Sequence, residues 1–161
     1  MTLLKTIMFT LIVPCSVAIF IPSFILKPEI NFYFQGDILI GWLLIVAGAA
    51  GYISTALSFL IRGKGTPAIW FSKSLKFLVG EEPSQAVIPR LYRFSRNPIY
   101  LSVFVFTVGM GFIHEDYFIL LYAAFVFLLF HLAVVLIEEP HLREKFGDSY
   151  SEYVNKTRRW L

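Results

Sequence analysis

The stretch YRFSRNPIYLSVFVF, Tyr92 to Phe106, changes character at Pro98. Before the proline stand Arg93, Arg96 and polar turn formers; after it the chain is almost wholly apolar. Asn97 suits the N-cap of a helix and Pro98 its first turn, so a helix is expected to begin here with arginines at its mouth. The unpaired N–H groups of a helix start, together with its dipole, favour an anion. The simpler reading of the two arginines is that they reach out to lipid phosphate.

Composition sets the setting for that helix. Of 161 residues, 57% are apolar and only 16% charged, and the mean hydropathy is +0.70. A soluble domain of this length carries more polar surface, so an integral membrane protein is expected. Four apolar runs can be marked, at about 6–26, 38–61, 98–113 and 117–137. The third is short against the roughly 20 residues a crossing needs. A cleavable signal peptide is the rival for the first run. That run is long for such a segment and lacks a clear cleavage site, so a retained span is expected.

The predicted fold class is therefore all-α: a polytopic membrane helical bundle of about four transmembrane helices, with a C-terminal amphipathic cytoplasmic helix. One membrane-embedded domain would cover 1–161. A net charge of +3 with no base-reading module argues against nucleic acid. The single cysteine, Cys15, can form neither an intrachain disulfide nor a metal cluster.

Orientation follows from the cations. One Lys precedes the first run and one lies between the first and second; seven Lys or Arg separate the second from the third, and five follow the fourth. The connection His114-Glu115-Asp116 has none. Four spans with both termini cytoplasmic put 13 of the 14 cations inside, as the positive-inside rule requires. The second connection and the tail then share one membrane face, and functional residues are expected there.

Within the second run, GWLLIVAGAAGYIS clusters Ala47, Gly48 and Gly51, small residues that let helices approach closely in lipid. RGKGTPAIWF, Arg62 to Phe71, ends that helix and can meet head groups. In the fourth run His131 stands seven residues before Glu138, two α-helical turns along one face. An ionisable group at membrane depth is a functional candidate. Glu138 and Glu139 close that helix, where like charges and a helix C-terminus are both unfavourable, so a cation should compensate them. Beyond Pro140, Leu142, Phe146, Tyr150, Tyr153 and Val154 recur at helical spacing, with a possible break near Gly147. This pattern suits a helix lying along the interface or covering the end of the bundle.

Two segments carry a resemblance. AVIPRLYRFSRNPIYLS, Ala86 to Ser102, resembles the pattern LVTTGPYRYVRHPxYLG, and EEPHLREKFGDSYSEYVNKTRR, Glu138 to Arg159, resembles EExxLxxxFGxxYxxYxxxxRR. Both patterns are those of the membrane methyltransferases that include isoprenylcysteine carboxyl methyltransferases and bacterial phospholipid methyltransferase-like proteins, which the chain thus resembles. GKGTP, Gly63 to Pro67, resembles a segment common in bacterial members. The chain departs from the patterns at Asn97 (often His), Arg90 and Ser102 (glycines) and Pro140 (Arg or Lys).

The resemblance implies S-adenosyl-L-methionine bound at the cytoplasmic face within 86–159. It implies cofactor contacts from Tyr92, Arg93, Arg96, Asn97, Pro98, Tyr100, Glu138 and Glu139, and catalytic roles for His131, Glu138 and Arg159. The methyl acceptor would be a hydrophobic or lipidated molecule entering from the bilayer of a bacterial inner or eukaryotic internal membrane. A carboxylate acceptor would need no base; an amine would need His131 or a glutamate to take a proton. Two alternatives stay open: an NADPH-dependent lipid or sterol reductase, whose group has a similar Arg-x-Pro-x-Tyr pattern, and a non-enzymatic four-span scaffold.

Overall fold

The computed structural model describes residues 14–25, 33–58 and 90–161. Among the described residues the chain is helical, and the sole bridge of β type is the isolated pair Tyr33 and Asp116. A π turn, Ser16–Phe20, leads into α1, Ile21–Ile25. Helices α2, Ile38–Ser58, α3, Pro98–His114, and α4, Tyr117–Ala133, follow. A second π turn, Val134–Glu138, joins α4 to α5, Glu139–Lys156. A 3-10 turn, Arg90–Arg93, precedes α3. The basic segment at 62–76 and the first part of the expected first span, 6–13, lie outside the described residues.

Helix α2 and the helix that begins with α4 are long and apolar enough to cross a membrane, while α3, with 17 residues, is shorter. At 1.5 Å per residue α3 covers about 25 Å, a little less than the hydrocarbon core. On α4 and the π turn, Leu121, Phe125, Leu128, Leu132 and Leu136 form an exposed apolar stripe. Ile119, Ala123, Val126 and Val134 are buried on the opposite side. Such a stripe is costly in water and suits lipid.

The most extensive packing joins α2 to α3, which run antiparallel. A methyl group built on Gly48 would lie 2.7 Å from both Phe106 N and Ser102 O, and one on Gly41 would lie 3.1 Å from Gly109 O. The helices approach at Gly48 and Gly51, as their small size predicts, while Ala47 of the same cluster is exposed on another side.

The ends are set by local chemistry. Asp37 Oδ1 accepts from Leu39 N and Ile40 N at the start of α2, and Asp116 Oδ1 accepts from Phe118 N at the start of α4. Phe34 N donates to Glu115 O over 2.9 Å, tying the entry of α2 to the α3–α4 corner. The opposite end of the bundle therefore collects 90–97, the π turn at 134–138 and α5.

Helix α5 continues directly from the span, and Pro140, which has no N–H to give to the preceding turn, follows the π turn by two residues. The break comes at Gly147, whose φ of 52° and ψ of −126° suit glycine alone. The chain turns there, and the segment after α5 comes back to the mouth of α3.

Candidate functional site

The return is made by hydrogen bonds to main-chain carbonyls. Arg96 N donates to Arg158 O over 2.9 Å. Ser95 Oγ and Asn97 Nδ2 donate to Arg159 O over 3.3 and 3.0 Å. Asn97 was expected to cap α3 with its side chain, and it does not. Its amide is drawn away to Arg159 O, and only its carbonyl joins the helix, accepting from Leu101 N. The carbonyl of Arg159 thus accepts from two side chains, and the amide that could have capped α3 is spent on the tertiary contact.

The lacing brings two arginines to one acid. Arg159 grips Glu139 with both ends of its guanidinium: Nε lies 2.7 Å from Oε1 and Nη2 lies 3.0 Å from Oε2. This is the fork geometry that makes Arg–carboxylate pairs strong. Arg96 Nη1 approaches Oε1 to 3.2 Å, and the side chains of Arg96 and Glu139 are each 9% exposed. Burial pushes the Glu139 carboxyl up. The Arg159 hydrogen bond and the charges of Arg96, Arg159 and Arg143 outweigh that and hold it below the ordinary carboxylate value.

Arg96 is not saturated by this contact. Nη1 is close to Glu139 but not aligned for a hydrogen bond, and among the described residues neither Nη1 nor Nε has a hydrogen-bond acceptor. Two buried donors on a cation are costly to leave unsatisfied. They form an anion-seeking point beside α3.

Glu138, 4% exposed, accepts from the Tyr100 hydroxyl, and the Tyr100 ring packs on Phe130 at 4.7 Å. Two consecutive glutamates are thus both buried, at the end of a π turn whose extra residue tightens nothing and shifts the helix register. The same shift moves the two-turn register of His131 away from Glu138 and toward Glu139. Tyrosines close the site. The Tyr92 hydroxyl is pushed above its usual range by burial, then by Tyr153 and Glu138, and Tyr153 OH donates to Tyr92 O over 2.8 Å. Tyr150 is buried beside Arg96 and Glu139.

Of the residues singled out in the sequence, Arg96, Asn97, Tyr100, Glu138, Glu139 and Arg159 meet at this end of the bundle, with Tyr92 alongside and Pro98 buried beneath. Arg93 stands apart and exposed at the end of its 3-10 turn. His131 is bound instead to Trp160, whose Nε1 donates to His131 Nδ1 over 3.1 Å. Sequence reasoning passed over Trp160 and Ser95. A tryptophan directly after the paired arginines was the only sign of the first; a lone serine gave no sign of the second.

Residues 38–149 match the family described as phospholipid methyltransferase, so a family pattern covers the greater part of the chain. The chain belongs to that family. With its apolar helices, it is an integral membrane protein of the methyltransferase class. No curated protein and no solved structure matches it.

Proposed function

We propose that the protein transfers a methyl group from S-adenosyl-L-methionine to a lipidic acceptor at the cytoplasmic face of the membrane. The observation that carries this reading is Arg96, its side chain 9% exposed, whose Nε and Nη1 lack acceptors among the described residues, at the same end of the bundle as a second buried carboxylate, Glu138. A zwitterionic amino-acid group needs such a pair: a fixed cation for its carboxylate and a fixed acid for its ammonium. The residues present fit it. Glu138, whose carboxylate accepts from the Tyr100 hydroxyl, is the acid assigned to the ammonium.

When bound, S-adenosyl-L-methionine would supply an electrophilic methyl group. The chain's own part is then positioning and exclusion of water, since in-line transfer asks little covalent chemistry of the protein. Arg96 would anchor, Glu139 and Arg159 would hold Arg96 in place, and Tyr92, Tyr150 and Tyr153 would wall the site. The multi-pass topology, with the basic connection and tail on the cytoplasmic face, rests on the cation count. An isoprenylcysteine-like carboxylate and a phospholipid amine are both compatible with this arrangement.

The test is binding of S-adenosyl-L-methionine against NADPH by the full chain in lipid nanodiscs, by calorimetry. Binding of the former alone, weakened about tenfold or more by Arg96→Ala and by Glu138→Ala, is expected. Affinity unchanged in both variants removes the assignment. Preference for NADPH would favour the reductase, and no binding of either would favour a scaffold.

A further inference from the structure

We propose that Trp160 is a positioning residue that holds His131 as a hydrogen-bond donor through Nε2, so that His131 orients the methyl acceptor and does not take a proton from it. The inference rests on the methyltransferase reading above. Its basis is the hydrogen bond from Trp160 Nε1 to His131 Nδ1, at 3.1 Å. An indole nitrogen can only donate, so Nδ1 must carry a lone pair. A neutral imidazole has one proton, and here that proton is at Nε2. Nδ1 is thus occupied by Trp160, and Nε2 already bears hydrogen. Neither ring nitrogen is available as a base while the bond stands.

The indole is itself held from several sides. Its ring packs on Phe127 at 4.7 Å between centroids, and Phe127 packs on Phe104 of α3 at 4.7 Å. The residue before it, Arg159, is locked by its bidentate grip on Glu139 and by the two donors on its carbonyl. Trp160 therefore reaches His131 from a rigid platform, and the tautomer of His131 is set by the same segment that completes the arginine–acid cluster. Orienting a reacting group by such an outer partner is a general means of fixing histidine chemistry.

The test labels the full chain in nanodiscs with ¹⁵N-histidine and assigns His131 by difference from His131→Gln. Trp160→Phe keeps an aromatic ring against Phe127 and removes only the donor. The unmodified protein should show one neutral tautomer of His131, protonated at Nε2; Trp160→Phe should show a mixture. Transfer of radiolabelled methyl from S-adenosyl-L-methionine to a membrane lipid extract should fall about three- to tenfold in kcat, the loss of one hydrogen bond's worth of orientation. Cofactor affinity should stay unchanged, which also shows that the variant is folded. Protonation of His131 at Nδ1 in the unmodified protein, or unchanged turnover in Trp160→Phe, overturns the proposal. Failure of the unmodified protein to bind the cofactor falls on the methyltransferase reading instead, and is seen before any variant is compared.

Discussion

Arg159 clamps Glu139 from twenty residues along the chain, through two parallel hydrogen bonds of 2.7 and 3.0 Å. The acid opens α5, just after the span, and the base lies beyond the Gly147 turn, so the pair is a tertiary fastening between the start of α5 and the returning segment.

This fastening makes stability depend on acid pH. The Glu139 carboxyl is held below the ordinary carboxylate value in the folded protein, against the upward push of burial, by Arg159, Arg96 and Arg143. The unfolded chain therefore takes up a proton first as pH falls. The stabilisation is complete above the ordinary carboxylate pKa and is lost as pH drops through the depressed folded value. Glu139→Gln should cost about 3 kcal/mol at neutral pH, the lower end for breaking a buried pair because Arg159 is partly exposed. Thermal unfolding in detergent, followed from pH about 7 to about 3, should show the two proteins converging as the acid limb is reached. Parallel curves would mean that the carboxylate is not held by its arginines.

Helix contact between α2 and α3 gives a second expectation. A methyl group at Gly48 meets the backbone atoms Phe106 N and Ser102 O at 2.7 Å, and backbone cannot step aside as a flexible side chain can. Gly48→Ala should force the helices apart and lower stability by about 1–3 kcal/mol, read as a fall in Tm. Ala47→Gly, on the exposed side of the same helix, serves as the comparison and should show only a helix-propensity loss of about 1 kcal/mol or less. Equal effects would show that the close crossing does not hold α2 against α3.

Gly147 is a different case, since a Cβ there has nothing within 4 Å. The obstacle is conformation alone. Gly147→Ala places a side chain at φ 52°, ψ −126° and should cost about 1–3 kcal/mol, or straighten α5 at its expense. Because the turn delivers Arg159 and Trp160, limited proteolysis after α5 should accelerate in the variant. Unchanged proteolysis with lowered Tm would show that the turn matters for α5 but not for the returning segment.

Much of this arrangement was legible in the residues. The helix start at Pro98, the close approach at Gly48 and Gly51 and the need of Glu139 for a cation all follow from local chemistry, and Arg96 is a cation that the sequence offered. What escaped reading depends on contacts between distant residues. Asn97 has the composition of an N-cap, but a carbonyl 62 residues away captures its amide. The seven-residue spacing from His131 to Glu138 assumes unbroken α-helix, and the π turn just before Pro140 changes the register. Arg93 and Arg96 look equivalent in sequence; the tight turn before α3 buries one and leaves the other in the open.

The lacing of residues 95–97 to 158–159 has a consequence for biosynthesis. Arg96 and Glu139 are both synthesised before Arg159, so for a time they lack the residue that clasps the acid. This end of the bundle is completed only when the later-made segment folds back onto residues 95–97. A newly made chain would pass through a stage in which its helices are formed and this end is still open.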